Sequence, residues 1–157
     1  DYGNDLTVAE LLNGNFIYLW SDDRRVDENN YVYEIKFTLF DHAGNQITPI
    51  KVLSNIGTPT TVVNDQEPAI AVTPDGNIGV VWYRQRWHSI LDLRNYNIVF
   101  SILDQEGNVI HAPEEITDND IWGSNCYEEL NMPCYYDPQI AATGDNHFWP
   151  TLSTSFL

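Results

Sequence analysis

The sequence predicts an all-β protein built from repeated four-stranded antiparallel meanders, and three observations carry that prediction. The chain is self-similar at a fixed spacing, its apolar residues alternate with a period of two, and glycine turns separate the alternating runs. A shift of 62 positions lays Asn13-Gly14-Asn15 on Asp75-Gly76-Asn77, Val8-Ala9 on Ile70-Ala71 and Trp20 on Trp82. Further on the shift becomes 63, so that Ile35, Phe37, Leu39 and Asp41 fall on Ile98, Phe100, Ile102 and Asp104, and Gly44-Asn45 on Gly107-Asn108. A third copy opens at Asp137, where DPQIAATGDN follows EPAIAVTPDG in outline before Phe148-Trp149-Pro150 replaces the aliphatic strand.

In the first copy, residues 1–9 supply the first strand and Phe16–Trp20 the second. Ser21–Asn30 is polar without periodicity, which predicts a loop. In the third strand, Tyr31–Phe40, the residues Tyr33, Ile35, Phe37 and Leu39 alternate with Glu34, Lys36 and Thr38, the pattern of one buried and one wet face. A turn at His42–Asn45 leads to a fourth strand over Gln46–Leu53, and residues 55–66 carry the chain onward. The second copy repeats the plan with Ala69–Val72, Ile78–Tyr83, a loop over Arg84–Asn95, then Tyr96–Leu103 and Val109–Thr117. Here Val99 and Leu103 are apolar as well as Ile98, Phe100 and Ile102, which predicts a strand covered on both sides. Asp75-Gly76-Asn77 and Glu106-Gly107-Asn108 supply the positive-φ residues that tight hairpins need. Asp118–Tyr136 is a long connection containing both cysteines, and no apolar stripe of helical spacing occurs anywhere.

Meanders of about 50 to 60 residues in series predict β-propeller blades, in rings of typically about 4 to 8. The chain holds about two and a half: residues 1–66 form blade one, 67–136 blade two with its cysteine loop, and 137–157 the start of blade three. That is too few to close a ring, so the expectation is a part of a larger propeller or of one completed by other chains. The motifs P-x-I-A-x-x-x-D-G-x-x-x-V-x-W and F-x-x-x-D-x-x-G-N resemble the blades of bacterial TolB-like and surface-exposed propeller proteins. The resemblance spans nearly the whole chain and rests on turn glycines, a strand-end Trp and apolar alternation. It implies a fold and transfers no catalytic residue.

The formal charge is −16, from 23 acidic and 7 basic residues. So negative a surface repels nucleic-acid phosphates and anionic lipid headgroups, which excludes nucleic acid as the expected partner. No run of about 18 apolar residues is present to span a membrane. Cys126 and Cys134 lack the spacing and companion ligands of a metal site, and a disulfide between them is expected. Closing a loop of about nine residues contributes about 2.5 kcal/mol in the chain-entropy picture, and it places the chain in an oxidising setting: extracellular, cell-surface or periplasmic.

In an up-and-down meander the connections alternate between two ends, and here the long ones all fall at the same end. Long irregular segments in compact domains carry function. Arg84, Arg86, Trp87 and His88, with Arg94 nearby, cluster in one of them, while Trp122 and Tyr127 lie in the cysteine loop. Aromatic rings beside arginines can stack on a sugar ring or anchor a protein partner. Trp20 and Trp82 recur at one repeat position and are expected to wedge neighbouring blades apart.

No metal, cofactor or catalytic motif stands out. Asp22-Asp23-Arg24-Arg25-Val26-Asp27-Glu28 lacks the spacing of a calcium loop, and His42, His88, His111 and His147 are scattered, with no G-x-S-x-G. The expected function is therefore non-catalytic: an extracellular module presenting a surface to carbohydrate or protein. The alternatives are a fragment of a propeller-type glycosidase or sialidase, or a structural subunit that self-associates through open sheet edges.

Overall fold

Among the described residues, five turns of one geometry set the frame. In each, the first residue's N–H donates to the carbonyl four residues on, at 2.8–2.9 Å, and the fourth residue's N–H donates back to the first carbonyl. The turns run Leu11–Asn15, Asp41–Asn45, Thr73–Asn77, Asp104–Asn108 and Thr143–His147. The fourth position has positive φ in all five: Gly14 80°, Gly44 83°, Gly76 91°, Gly107 74° and Asn146 65°. Glycine and asparagine stand there because other side chains are strained in that region. The Asp41 carboxylate accepts from the Asn45 side chain and from the backbone of Asn45 and Ala43, and these bonds hold its pKa below the usual value. At Asp104 slight burial works the other way, and the bonds from Asn108 outweigh it.

The computed structural model describes residues 5–25, 31–54, 61–88, 90–91, 93–117 and 134–155. They form ten strands in three antiparallel sheets, and no sheet closes on itself. The first sheet is β1 (Leu6–Glu10), β2 (Phe16–Arg25), β3 (Tyr31–Phe40) and β4 (Lys51–Val52), hydrogen-bonded in chain order. The second is β5 (Thr61–Val72), β6 (Ile78–His88), β7 (Leu93–Leu103) and β8 (Val109–Glu115), again in chain order. The third pairs β9 (Cys134–Ala142) with β10 (Phe148–Ser155). The repeat extends to register: Val8 faces Tyr18 as Ile70 faces Val80, and Glu10 faces Phe16 as Val72 faces Ile78.

Period-two alternation sends each sheet's residues to two opposite neighbours. From the first sheet Ile17, Leu19, Ile35, Phe37 and Leu39 meet Ile78, Val80, Trp82, Val99 and Leu103 of the second, all at most 1% exposed. The other face of the second sheet, Val81, Tyr83, Tyr96 and Ile98, packs with Phe100 and Ala69 against Ile140 of the third. The central sheet is thus buried on both faces, as the apolar run at Ile98–Leu103 predicts. Lys51 Nζ ties the first two sheets by donating to the Gly107 carbonyl at 2.8 Å, and Asp75 N ties the next two by donating to Asn146 Oδ1 at 3.1 Å.

Gly79 lets the third sheet approach. A Cβ at this position would stand 2.5 Å from the Phe148 ring and 2.9 Å from Ile140 Cδ1. Gly79→Ala is expected to cost about 1–3 kcal/mol by overpacking. Urea unfolding measures that loss, and adding Phe148→Leu should recover part of it.

Several expectations need correction, among them the end of the Asp118–Tyr136 connection and the start of the third copy at Asp137, since β9 already begins at Cys134. The polar stretches Ser21–Asn30 and Arg84–Asn95 are strand for much of their length, since β2 and β3 pair out to Arg25 and Tyr31, and β6 and β7 pair from His88 and Leu93 inward. Charged partners replace apolar alternation there: Lys36 Nζ meets Asp22 Oδ2 and Arg24 Nε meets Glu34 Oε1, both at 2.8 Å. The linker 55–66 also yields to strand, with β5 starting at Thr61 and passing a bulge between Gln66 and Ala69, where Glu67 has φ 55°. Conversely, the fourth strand expected over Gln46–Leu53 shrinks to Lys51–Val52 and one bridge between Phe40 and Gln46. Pro49 has no N–H to give a ladder. Thr48 diverts the pairing, its Oγ1 accepting from Leu39 N at 2.9 Å and its carbonyl accepting from Thr38 Oγ1 at 2.8 Å.

Candidate functional site

The extended β5–β6–β7 hairpins carry two distinct polar assemblies, one on each face. On the face toward the first sheet, Asp65 is fully buried and accepts a two-point bond from Arg84, at 2.7 Å from Nε and 2.8 Å from Nη2. Arg84 Nη1 lies 3.5 Å from Glu115 Oε1, and Arg86 grips the same carboxylate, with Nη1 at 2.8 Å from Oε2. Asn97 donates to Glu115 Oε2 at 3.0 Å and accepts from Thr117 Oγ1 at 2.9 Å. Burial pushes the Asp65 carboxyl up, with the bonds from Arg84 pulling against it. Burial also opposes the Arg84 charge, and Asp65 and Glu115 more than offset it, leaving the guanidinium above its ordinary value.

The second assembly lines a pocket of about 340 Å³ between Tyr33 of β3, Asn64 and Gln66 of β5, Gln85 and Trp87 of β6, and Arg94 of β7. Cross-strand register builds it: Asn64 stands opposite Gln85, and Trp87 opposite Arg94. A relay of bonds fixes the amides. Tyr33 N donates to Asn64 Oδ1 at 3.2 Å, Asn64 Nδ2 to Gln85 Oε1 at 3.3 Å, and Gln85 Nε2 to the Tyr96 hydroxyl at 3.1 Å. Tyr96 in turn stacks on Tyr83, ring centroids 5.8 Å apart. The six described lining residues are all half-buried, and they include one cation and no carboxylate.

These placements divide the residues singled out from the sequence. Arg84 and Arg86 belong to the ion-pair assembly, Arg84 at 6% exposure. Trp87 lines the pocket together with Arg94. His88 ends β6, where its Nδ1 accepts from Leu91 N at 3.3 Å. Trp122, Tyr127 and Cys126 lie outside the described residues, and so does the expected pairing of Cys126 with Cys134, the first residue of β9. Tyr33, Asn64, Gln66 and Gln85 escaped sequence reasoning. Their signal is a period of two, Asn64 with Gln66 and Gln85 with Trp87, on segments taken for linker and loop.

Neutral amides both donate and accept, as sugar hydroxyls do, and a guanidinium donates in a planar fork. An indole at the rim offers an apolar face. The arrangement is suited to holding a polyhydroxylated ligand. Among the described residues no group of three or more His, Cys, Asp or Glu is placed to hold a metal ion, and no helix is long and apolar enough to cross a membrane. Compared with protein-family models, curated proteins and solved structures, the chain matches none of them.

Proposed function

We propose that the chain is a non-catalytic, extracellular β-propeller module that binds carbohydrate in the pocket between Tyr33 and Trp87. One observation carries the reading: three carboxamides, a phenol, an indole and an arginine converge on one cavity, with two of the amides already oriented by bonds to their neighbours. Small-molecule sites pair a mostly preformed cavity with a few oriented polar groups. Two four-stranded meanders and a two-stranded hairpin, stacked in chain order with one recurring turn, support the propeller reading. Most glycoside hydrolases work with a pair of available carboxylates. Among the described residues the pocket lining has none, and Asp65 and Glu115 are committed to arginines on the opposite face, which favours binding over chemistry.

The test is a glycan array probed with the labelled chain, followed by titration of intrinsic tryptophan fluorescence with any sugar retained. Trp87→Ala and Gln66→Ala are each expected to weaken binding by about tenfold or more, equivalent to about 1.4 kcal/mol, while unfolding midpoints stay near wild type. Retention of no glycan, or retention unaffected by both substitutions, overturns the assignment.

A further inference from the structure

The pocket between Tyr33 and Trp87 holds a positive charge that the fold itself does not use. Arg24, Arg84 and Arg86 each meet a carboxylate, from Glu34, Asp65 and Glu115 respectively, and Lys36 meets Asp22. Arg94 makes no ion pair or side-chain hydrogen bond among the described residues, although it is half-buried and the chain carries 23 acidic residues against 7 basic ones. A guanidinium partly withdrawn from water and left without a counter-charge is unfavourable. Gln66 stands beside it in the same condition. Its carboxamide is half-buried and makes no hydrogen bond among the described residues, whereas those of Asn64 and Gln85 are held by the relay that ends at the Tyr96 hydroxyl. The unused groups of the lining are thus a planar fork of N–H donors and one amide, next to two oriented amides and an indole.

We infer that the pocket selects a carboxylate-bearing sugar, a uronic or a sialic acid, over neutral sugars; this rests on the carbohydrate reading and names the class of ligand. The sugar carboxylate accepts two parallel bonds from the Arg94 fork, the pairing in which a planar guanidinium and a planar carboxylate match best. Trp87 stands opposite Arg94 across the β6–β7 ladder. Cross-strand neighbours of this kind have Cβ atoms about 5 Å apart. A sugar ring lying against the indole can therefore bring a carboxylate on its rim to the guanidinium, while its hydroxyls meet Gln66, Asn64 and Gln85. The volume of about 340 Å³ lies at the low end of the range for small-molecule sites, about 300–1,000 Å³, and suits a single sugar residue. The rest of the chain is negative and repels anions at a distance, but in about 0.15 M salt that repulsion decays over about 8 Å, which leaves the contact with Arg94 to decide.

The probes are sugar acids set against their own methyl esters, which keep the ring and its hydroxyls and remove the charge. Glucuronate and galacturonate represent the uronic class, and N-acetylneuraminate the sialic class. Titration of the tryptophan fluorescence of the 157-residue chain, at about 0.15 M salt, is expected to show at least one acid bound about tenfold or more tighter than its ester. Which acid it is separates the two classes. Arg94→Gln should abolish the preference, with an unfolding midpoint near wild type because the side chain has no partner among the described residues to lose. Lys36→Gln, which removes a cation paired with Asp22 away from the pocket lining, should leave the preference intact. Equal affinity for acid and ester, or a preference that survives Arg94→Gln, overturns the inference and leaves the carbohydrate site standing. Retention of neutral sugars on the glycan array with none of the acids bound does the same. Failure of every acid, ester and neutral sugar to bind overturns both.

Discussion

Replacing Trp82 by alanine is expected to destabilise the fold by about 3–5 kcal/mol, the range for large aromatic deletions in a core. The same replacement at Trp20, its counterpart one repeat earlier, should cost less than half of that. The two residues hold the same place in equivalent strands, β2 and β6, with the same register and distance from the turn, so local propensity cannot separate them. Their surroundings do. Trp82 is fully buried between the first two sheets, among Ile17, Leu19, Phe37 and Leu39, and its loss leaves a cavity that rigid sheets on either side cannot collapse. Trp20 is only half-buried on the outer face, where water can replace the missing ring. Urea unfolding at the lowest workable protein concentration compares the two directly. Equal losses there would contradict the assignment of inside and outside on which the stacking order rests.

That contrast also marks how far the sequence is informative. The meanders, their chain-order pairing and the turns follow from local chemistry, because a positive-φ glycine four places into a D-x-x-G-N motif dictates its hairpin without help from the rest of the chain. Even the divergent third copy keeps the rule, with Asn146 in the glycine position. Strand ends at the opposite side of the sheets are a different matter. Beyond Trp20 and Tyr83 the alternating apolar signal stops, and the strands continue because their charged side chains find cross-strand partners, a property of pairs and not of runs. The pocket was hidden for the same reason. Gln85 and Trp87 come from a segment read as loop and Asn64 from one read as linker, and the two meet only once β5 and β6 pair in register and Tyr33 arrives from the neighbouring sheet. Trp20 and Trp82 show the limit from the other side. Repetition places them correctly on a common face but says nothing about which of the two has a neighbour.

Asp65→Asn should be the most damaging conservative change in the polar assembly, at about 3–5 kcal/mol. The substitution preserves volume but removes the charge and turns one of the two accepting oxygens into an amide donor, and it leaves the Arg84 guanidinium in a site 6% exposed, with Glu115 at 3.5 Å as its remaining counter-charge. Desolvating two ions is costly, and the Asp65–Arg84 pair offsets that cost only through its two-point geometry at 2.7 and 2.8 Å. Glu115→Gln should cost less, because the Glu115 and Arg86 side chains are 21% and 32% exposed and water can take over part of the lost interaction. A double-mutant cycle on Asp65→Leu and Arg84→Met isolates the coupling. The pair of substitutions together should be milder than either alone, since an apolar pair of similar size leaves no buried charge behind. Added salt should leave the Asp65→Asn deficit unchanged, as screening does not reach a pair sealed between two sheets. A deficit below about 1 kcal/mol, or one that salt erases, would mean that water enters the seam between the first and second sheets, and the assignment of Arg84 to a structural role in place of ligand contact would fall with it.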